Sequence, residues 1–214
     1  MHHPTPDQQW AMIHAERARL VADLDGLDDD QWSHASLCDG WSVEDVVAHL
    51  SAAATTGRGA WLRSIVAAGF RPAVHNRRRL EENRGPTPEA TLERFRSVAD
   101  LRVAPTKDLW AWLGEVVVHA TDVREPLGIP TQPDPRAVDV VARGFAARDF
   151  AVSSRSAVKG LRVCATDGDL ELGDGPVVEG STLDLVMAMA GRGSAVGRLT
   201  GEGVPVLEGR VGAR

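Results

Sequence analysis

GEVVVHATDVREPLG, residues 114–128, places a glutamate, a histidine and an aspartate at positions 115, 119 and 122, with three valines between the first two. Residues four apart lie on one face of an α-helix, and a third residue three further on stays near that face. A glutamate beside a run of valines is costly to bury without a polar partner. The stretch therefore reads as a helix whose apolar surroundings hold Glu115 and His119 side by side, with Asp122 close to them. A carboxylate and an imidazole on adjacent turns can grip one divalent ion, and oxygen and nitrogen donors of this kind suit zinc and its relatives.

Such a pair needs at least one further ligand. The chain has seven histidines. His2 and His3 sit in the terminal tail, His14 and His34 have polar neighbours, and His75 lies in a basic stretch. His49, in VEDVVAHLSAA, is the one on an apolar helix. Antiparallel packing of its helix against the one at 114 onward would bring it to Glu115 and His119. Two histidines, a glutamate and one open position make a catalytic arrangement, and helix bundles commonly build metal sites so. The spacing also fits a hydrogen-bonded core histidine beside a helix-surface pair, and both readings stand on the residues alone. Asp122 would orient a ligand histidine, or cap the helix end and pair with an arginine. Arg124 would bind a substrate carboxylate through its fork, or serve as a favourable charge at the helix C-terminus. Cys38 reads as a buried structural residue and Trp41 as a core anchor.

Outward from this motif the pattern is helical to about residue 150. Thr5 and Pro6 open a helix through Leu24. DDDQW reads as a turn. Ser42 with Asp45 forms a capping-box start for a helix reaching about Ala68, with Gly57 and Gly59 as places to bend. PAVHNRRRLEENRG reads as a polar helix, Thr87 and Pro88 open another, and the next spans roughly Thr106 to Arg124. EPLGIPTQPDP is a proline-rich break, followed by a helix from Pro135 to about Phe150. The period then changes. GLRVCAT, LELGDG and PVVEG read as a meander or hairpin, STLDLVMAMAGR as a helix capped by Ser181, and GEGVPVLEGRV as a last strand. The expected fold is α+β: a helical domain over 1–150 and a small α+β domain over 151–214.

Composition narrows the function. A net charge of -6 and a pI near 5.6 argue against nucleic acid. NRRRLEENR alternates into glutamates and reads as a solvated helix face. No apolar run is long enough to span a membrane, the N-terminus has no signal-peptide core, and the two cysteines, Cys38 and Cys164, fit no metal or redox spacing. These features suit a cytoplasmic protein. Arginine outnumbers lysine heavily and tyrosine is absent, a bias of high-GC genomes.

LCDGWSVEDVVAHL (37–50), GEVVVHATDVREPLG and LTGEGVPVL (199–207) together resemble the mycothiol-dependent maleylpyruvate isomerase family, related to the DinB-like four-helix metalloproteins. The resemblance spans nearly the whole chain. It implies a DinB-like four-helix bundle followed by a small C-terminal α/β domain, and an actinobacterial source. It also implies a divalent metal, usually zinc, on His49, Glu115 and His119. The cosubstrate would be a low-molecular-weight thiol, mycothiol, and the partner a small electrophile. The chemistry would be cis–trans isomerisation or thiol S-transfer, in a monomer or homodimer. An arginine of the C-terminal domain helps the chemistry in that family, and Arg192 and Arg198 are the nearest candidates here. A non-catalytic metal- or ligand-binding protein and a metal-dependent hydrolase are the rival readings.

Overall fold

The structure, a computed structural model, describes residues 4–67, 69 and 71–211. It divides into two compact units, Met1–Gln132 and Pro133–Arg214. The division falls earlier than the boundary at 150 expected from the sequence. The helix at 135–147 packs with the helix at 182–189 of the second unit, because one face of it, Ala137, Val138, Val141, Ala142 and Phe145, is buried.

The regular elements among the first unit's described residues are helices, apart from an isolated bridge between Ala35 and Ser42. α1 (Pro6–Leu24) starts at the expected cap: Thr5 accepts from the Gln8 N–H, Gln8 reaches back to the Thr5 N–H, and Pro6 fills the first turn. DDDQW, expected as a turn, is a short helix, α2 (Asp29–Ser33), because Asp28 and Gln31 cap it reciprocally. α3 (Val43–Thr55) starts on the Ser42–Asp45 capping box. The long helix expected to about Ala68 breaks at Thr56 and Gly57, and α4 (Arg58–Ala67) follows. α5 (Pro72–Asn83), α6 (Pro88–Val98) and α7 (Leu109–Leu127) complete the unit.

Four of these helices close a ring of contacts: α1 on α7, α7 on α3, α3 on α6, and α6 on α1. That is a four-helix bundle. Its centre is filled by Ile13, Leu20 and Leu24 of α1, Val46, Val47 and Leu50 of α3, Phe95 of α6, and Leu113, Val117 and Val123 of α7. α5 packs on α3 outside the ring, and α4 packs on α5. No helix of the described residues is long and apolar enough to cross a membrane.

Pro126 lies inside the last turn of α7. A proline has no N–H, so the carbonyl four residues earlier, on Asp122, loses its helical donor. The Leu37 N–H bonds that carbonyl instead, at 3.0 Å. The turn that precedes α3 is thereby fastened to α7 beside Asp122. Gly128, at φ 64°, ends α7 in the left-handed conformation a C-cap requires.

In the second unit α8 (Pro135–Ala147) and the short α9 (Ser154–Val158) precede three strands, β1 (Arg162–Ala165), β2 (Glu171–Leu172) and β3 (Val177–Gly180). β1 and β2 form the expected hairpin, but β3 runs parallel to β1 on its other side, so the order is β2-β1-β3. A meander would have placed β3 beside β2. Gly173 and Gly175, both at positive φ, turn the chain beneath the start of β1. α10 (Thr182–Met189) is capped by Ser181 as expected, and the short α11 (Gly193–Val196) follows. The expected last strand is a helix, α12 (Val204–Val211). Pro205 suits its first turn, and Leu207 and Val211, four apart, are the pair it buries.

Candidate functional site

The Ser42 cap sets the start of α3, and almost every residue from Val43 to Ala54 is buried. His49 is therefore carried into the bundle, with 8% of its surface exposed. On α7, Val116, Val117 and Val118 seat the helix in the core, and Glu115 and His119 lie on the face toward His49. The three expected residues meet. His49 Nε2 and Glu115 Oε1 are 2.5 Å apart, and His119 Nε2 is 3.7 Å from the same oxygen. The two imidazole centroids are 5.0 Å apart, edge to face.

Asp122, with none of its surface exposed, stands behind His119: its Oδ2 is 2.9 Å from His119 Nδ1. A carboxylate only accepts, so Nδ1 carries the proton and Nε2 is the nitrogen left for the shared space with Glu115. Cys38 joins this pair. Its thiol donates to Asp122 Oδ2 at 3.0 Å and lies 3.4 Å from His119 Nδ1. Trp41 covers both imidazoles, its ring 4.9 Å from that of His49 and 6.3 Å from that of His119.

The pKa of His119 is raised to about 10. Burial is the largest single influence and works against the charged ring, but the Asp122 bond, Cys38 and Glu115 together outweigh it. The site thus favours positive charge where its donors converge. One donor atom each from His49, Glu115 and His119 lie within 4.8 Å of one another, and so do those of Cys38, His119 and Asp122. His49 Nδ1 is buried with no hydrogen-bond partner among the described residues. Two imidazole nitrogens and a carboxylate oxygen, with a carboxylate fixing one ring, fit a divalent ion.

Arg124 does not join the cluster. It lies nine residues after Glu115, which at 3.6 residues per turn is the opposite face of α7. It is 3% exposed, and its Nε donates to Asp23 Oδ2 at 2.7 Å, tying α7 to α1. This ion pair gives Arg124 a structural contact; its expected binding of a substrate carboxylate stays a proposal. Arg192 and Arg198 belong to the second unit. Arg192 bonds the Ala190 carbonyl, and Arg198 pairs with Asp184.

Sequence reasoning missed the parts of Cys38 and Trp41 in the cluster. Their signal was proximity to the capped start of α3, within a motif whose other end is His49; nothing in the spacing tied them to α7.

The N-terminal part of the chain is similar to a known family. Residues 13–109 match the mycothiol maleylpyruvate isomerase N-terminal domain family. The match includes His49 and ends before Glu115 and His119. Two solved structures share the fold: crystal structures of the mycothiol-dependent maleylpyruvate isomerase and of a point mutant of it. Each has a TM-score of 0.62 and 18% sequence identity, over 93% of this chain and 93% of the other. No curated protein matches the sequence. The resemblance to the maleylpyruvate isomerase family is thus borne out in N-terminal sequence over residues 13–109 and in fold.

Proposed function

We propose that the protein is a divalent-metal-dependent enzyme, with zinc as the metal, that uses a low-molecular-weight thiol, mycothiol, on a small electrophile. The reaction is cis–trans isomerisation or thiol S-transfer. The observation that carries the reading is the convergence of His49, Glu115 and His119 from two helices, with Asp122 fixing the His119 ring. These three residues would hold the metal. A bound divalent ion supplies Lewis acidity that lowers a thiol's pKa, so that thiolate is available at neutral pH.

The chain's own residues prepare that chemistry. Asp122 keeps the proton on His119 Nδ1 and points Nε2 at the site. Glu115 offers a charge beside both imidazoles. Trp41 shields one side of the rings from water and strengthens the electrostatics there. The match to the isomerase N-terminal domain favours thiol chemistry over metal-activated water.

The test is elemental analysis of the purified protein, then turnover of electrophiles with and without mycothiol. About one zinc per chain and thiol-dependent turnover support the reading. Geometric isomerisation without net thiol consumption selects the isomerase, and a stable thioether product selects the transferase. Zinc with thiol-independent hydrolysis would replace the reading by a hydrolase, and absence of metal from protein purified in zinc-replete buffer would end it.

A further inference from the structure

We infer that Cys38 is a positioning residue for the cluster: its thiol fixes Asp122, and through Asp122 the ring of His119. The inference rests on the proposed metal site for one of its two readouts.

Two bonds fasten the turn before α3 to a single residue of α7. The Leu37 N–H bonds the Asp122 carbonyl freed by Pro126, and the Cys38 thiol bonds the Asp122 carboxylate. The turn is stiff on its own side as well. Ser36 Oγ accepts from the Cys38 N–H at 3.1 Å and donates to the Trp41 carbonyl at 2.9 Å. The Trp41 N–H in turn bonds the Cys38 carbonyl at 3.0 Å. Cys38 is therefore presented to Asp122 by a closed hydrogen-bonded loop.

The buried Asp122 oxygen that receives the thiol is the same Oδ2 that receives His119 Nδ1. Removing the thiol leaves Oδ2 one donor short, and the support it gives the His119 ring is weakened. The contact makes Cys38 a donor to an anion rather than an attacking group. It also gives a reason for a cysteine here that burial alone does not.

The experiment compares the full-length protein with Cys38→Ala, which removes the donor, and Cys38→Ser, which keeps one. Zinc affinity is measured by competition with a chromophoric chelator. In metal-free protein, the proton on His119 Nδ1 is followed by nitrogen-edited NMR for its protection from solvent exchange. The expected result is a zinc affinity about 10-fold weaker in Cys38→Ala, in the range typical of lost support behind a metal ligand. Exchange protection should be lost in parallel, and Cys38→Ser should restore both to near the parent values. Should Cys38→Ala fail to fold, Cys38→Val removes the donor while filling the space. An unchanged affinity and an unchanged Nδ1 proton in a folded donorless variant overturn the inference. If the parent protein binds no zinc, the metal reading falls by itself, and the NMR readout alone still decides the role of Cys38.

Discussion

Two buried polar clusters lie on α3 within two turns of each other, and they are built to opposite ends. At its first turn, Glu44 and Asp45 are met by Arg84 from beyond α5, and Thr91 of α6 donates to Glu44. Carboxylates there face a permanently charged guanidinium and a hydroxyl, a closed set that staples helices together. At His49, Glu115 and Asp122 face two imidazoles and a thiol, groups that exchange protons or take a metal. The first cluster spends its charge on packing. The second keeps donor atoms aimed at a common space.

The comparison breaks most sharply at His119. His119→Ala is expected to abolish stoichiometric zinc binding while the bundle still folds, because a side chain that packs little apolar surface is lost. Elemental analysis beside circular dichroism checks this, and a full complement of zinc in the variant would remove His119 from the ligand set.

Arg124 is the next largest. Its pairing with Asp23 is buried, and breaking such a pair strands a charge, at a cost of about 3–5 kcal/mol. Arg124→Ala should lower the unfolding free energy from urea titration by that amount and leave the zinc stoichiometry of the folded protein unchanged. A stable variant with a raised KM for the electrophile would instead assign Arg124 the expected substrate-binding role.

Glu44→Gln tests the closed cluster. It should cost about 1–3 kcal/mol, the desolvation of partners left short of an acceptor, with no change in zinc affinity. Weaker zinc binding in that variant would mean that the two clusters are coupled along α3.

The smallest effect is on pH. His75 is buried beside Ser64, 2.8 Å from its hydroxyl, and its pKa lies below the usual 6.5, through burial first and the Arg79 charge next. His14 is lowered too, by burial and then by Arg17. A folded-state pKa below the unfolded value means the unfolded chain takes up the proton first as pH falls. Stability contributed by the neutral rings is therefore full above about pH 6.5 and declines below it. In urea titrations at about pH 7.5 and 5.5, the stability lost by His75→Gln relative to the parent should be smaller at the lower pH, a difference in which the opposite contribution of His119, whose pKa is raised, cancels.

Much of this protein is written locally. Thr5, Pro6, Ser42, Asp45, Thr87, Pro88 and Ser181 mark helix starts, since a cap needs only residues within one turn. The shared face of Glu115 and His119 follows from helical pitch, and so does the exile of Arg124 to the opposite face. Local signals misled where two periods compete: GEGVPVLEGRV alternates like a strand, yet it folds as α12 to bury Leu207 and Val211. They were silent on which strand β3 would join, because register and neighbour depend on the chain passing beneath β1 at Gly173 and Gly175.

By itself, then, the sequence determined most of the longer helices, their caps and the two halves of the donor set, because each rests on interactions spanning a few residues. Tertiary structure alone decided that His49 meets Glu115 across 66 positions and that Cys38 reaches Asp122 across 84. Those pairings follow from how α3 and α7 settle in the ring of four helices, where the burial of many apolar side chains outweighs any single polar contact.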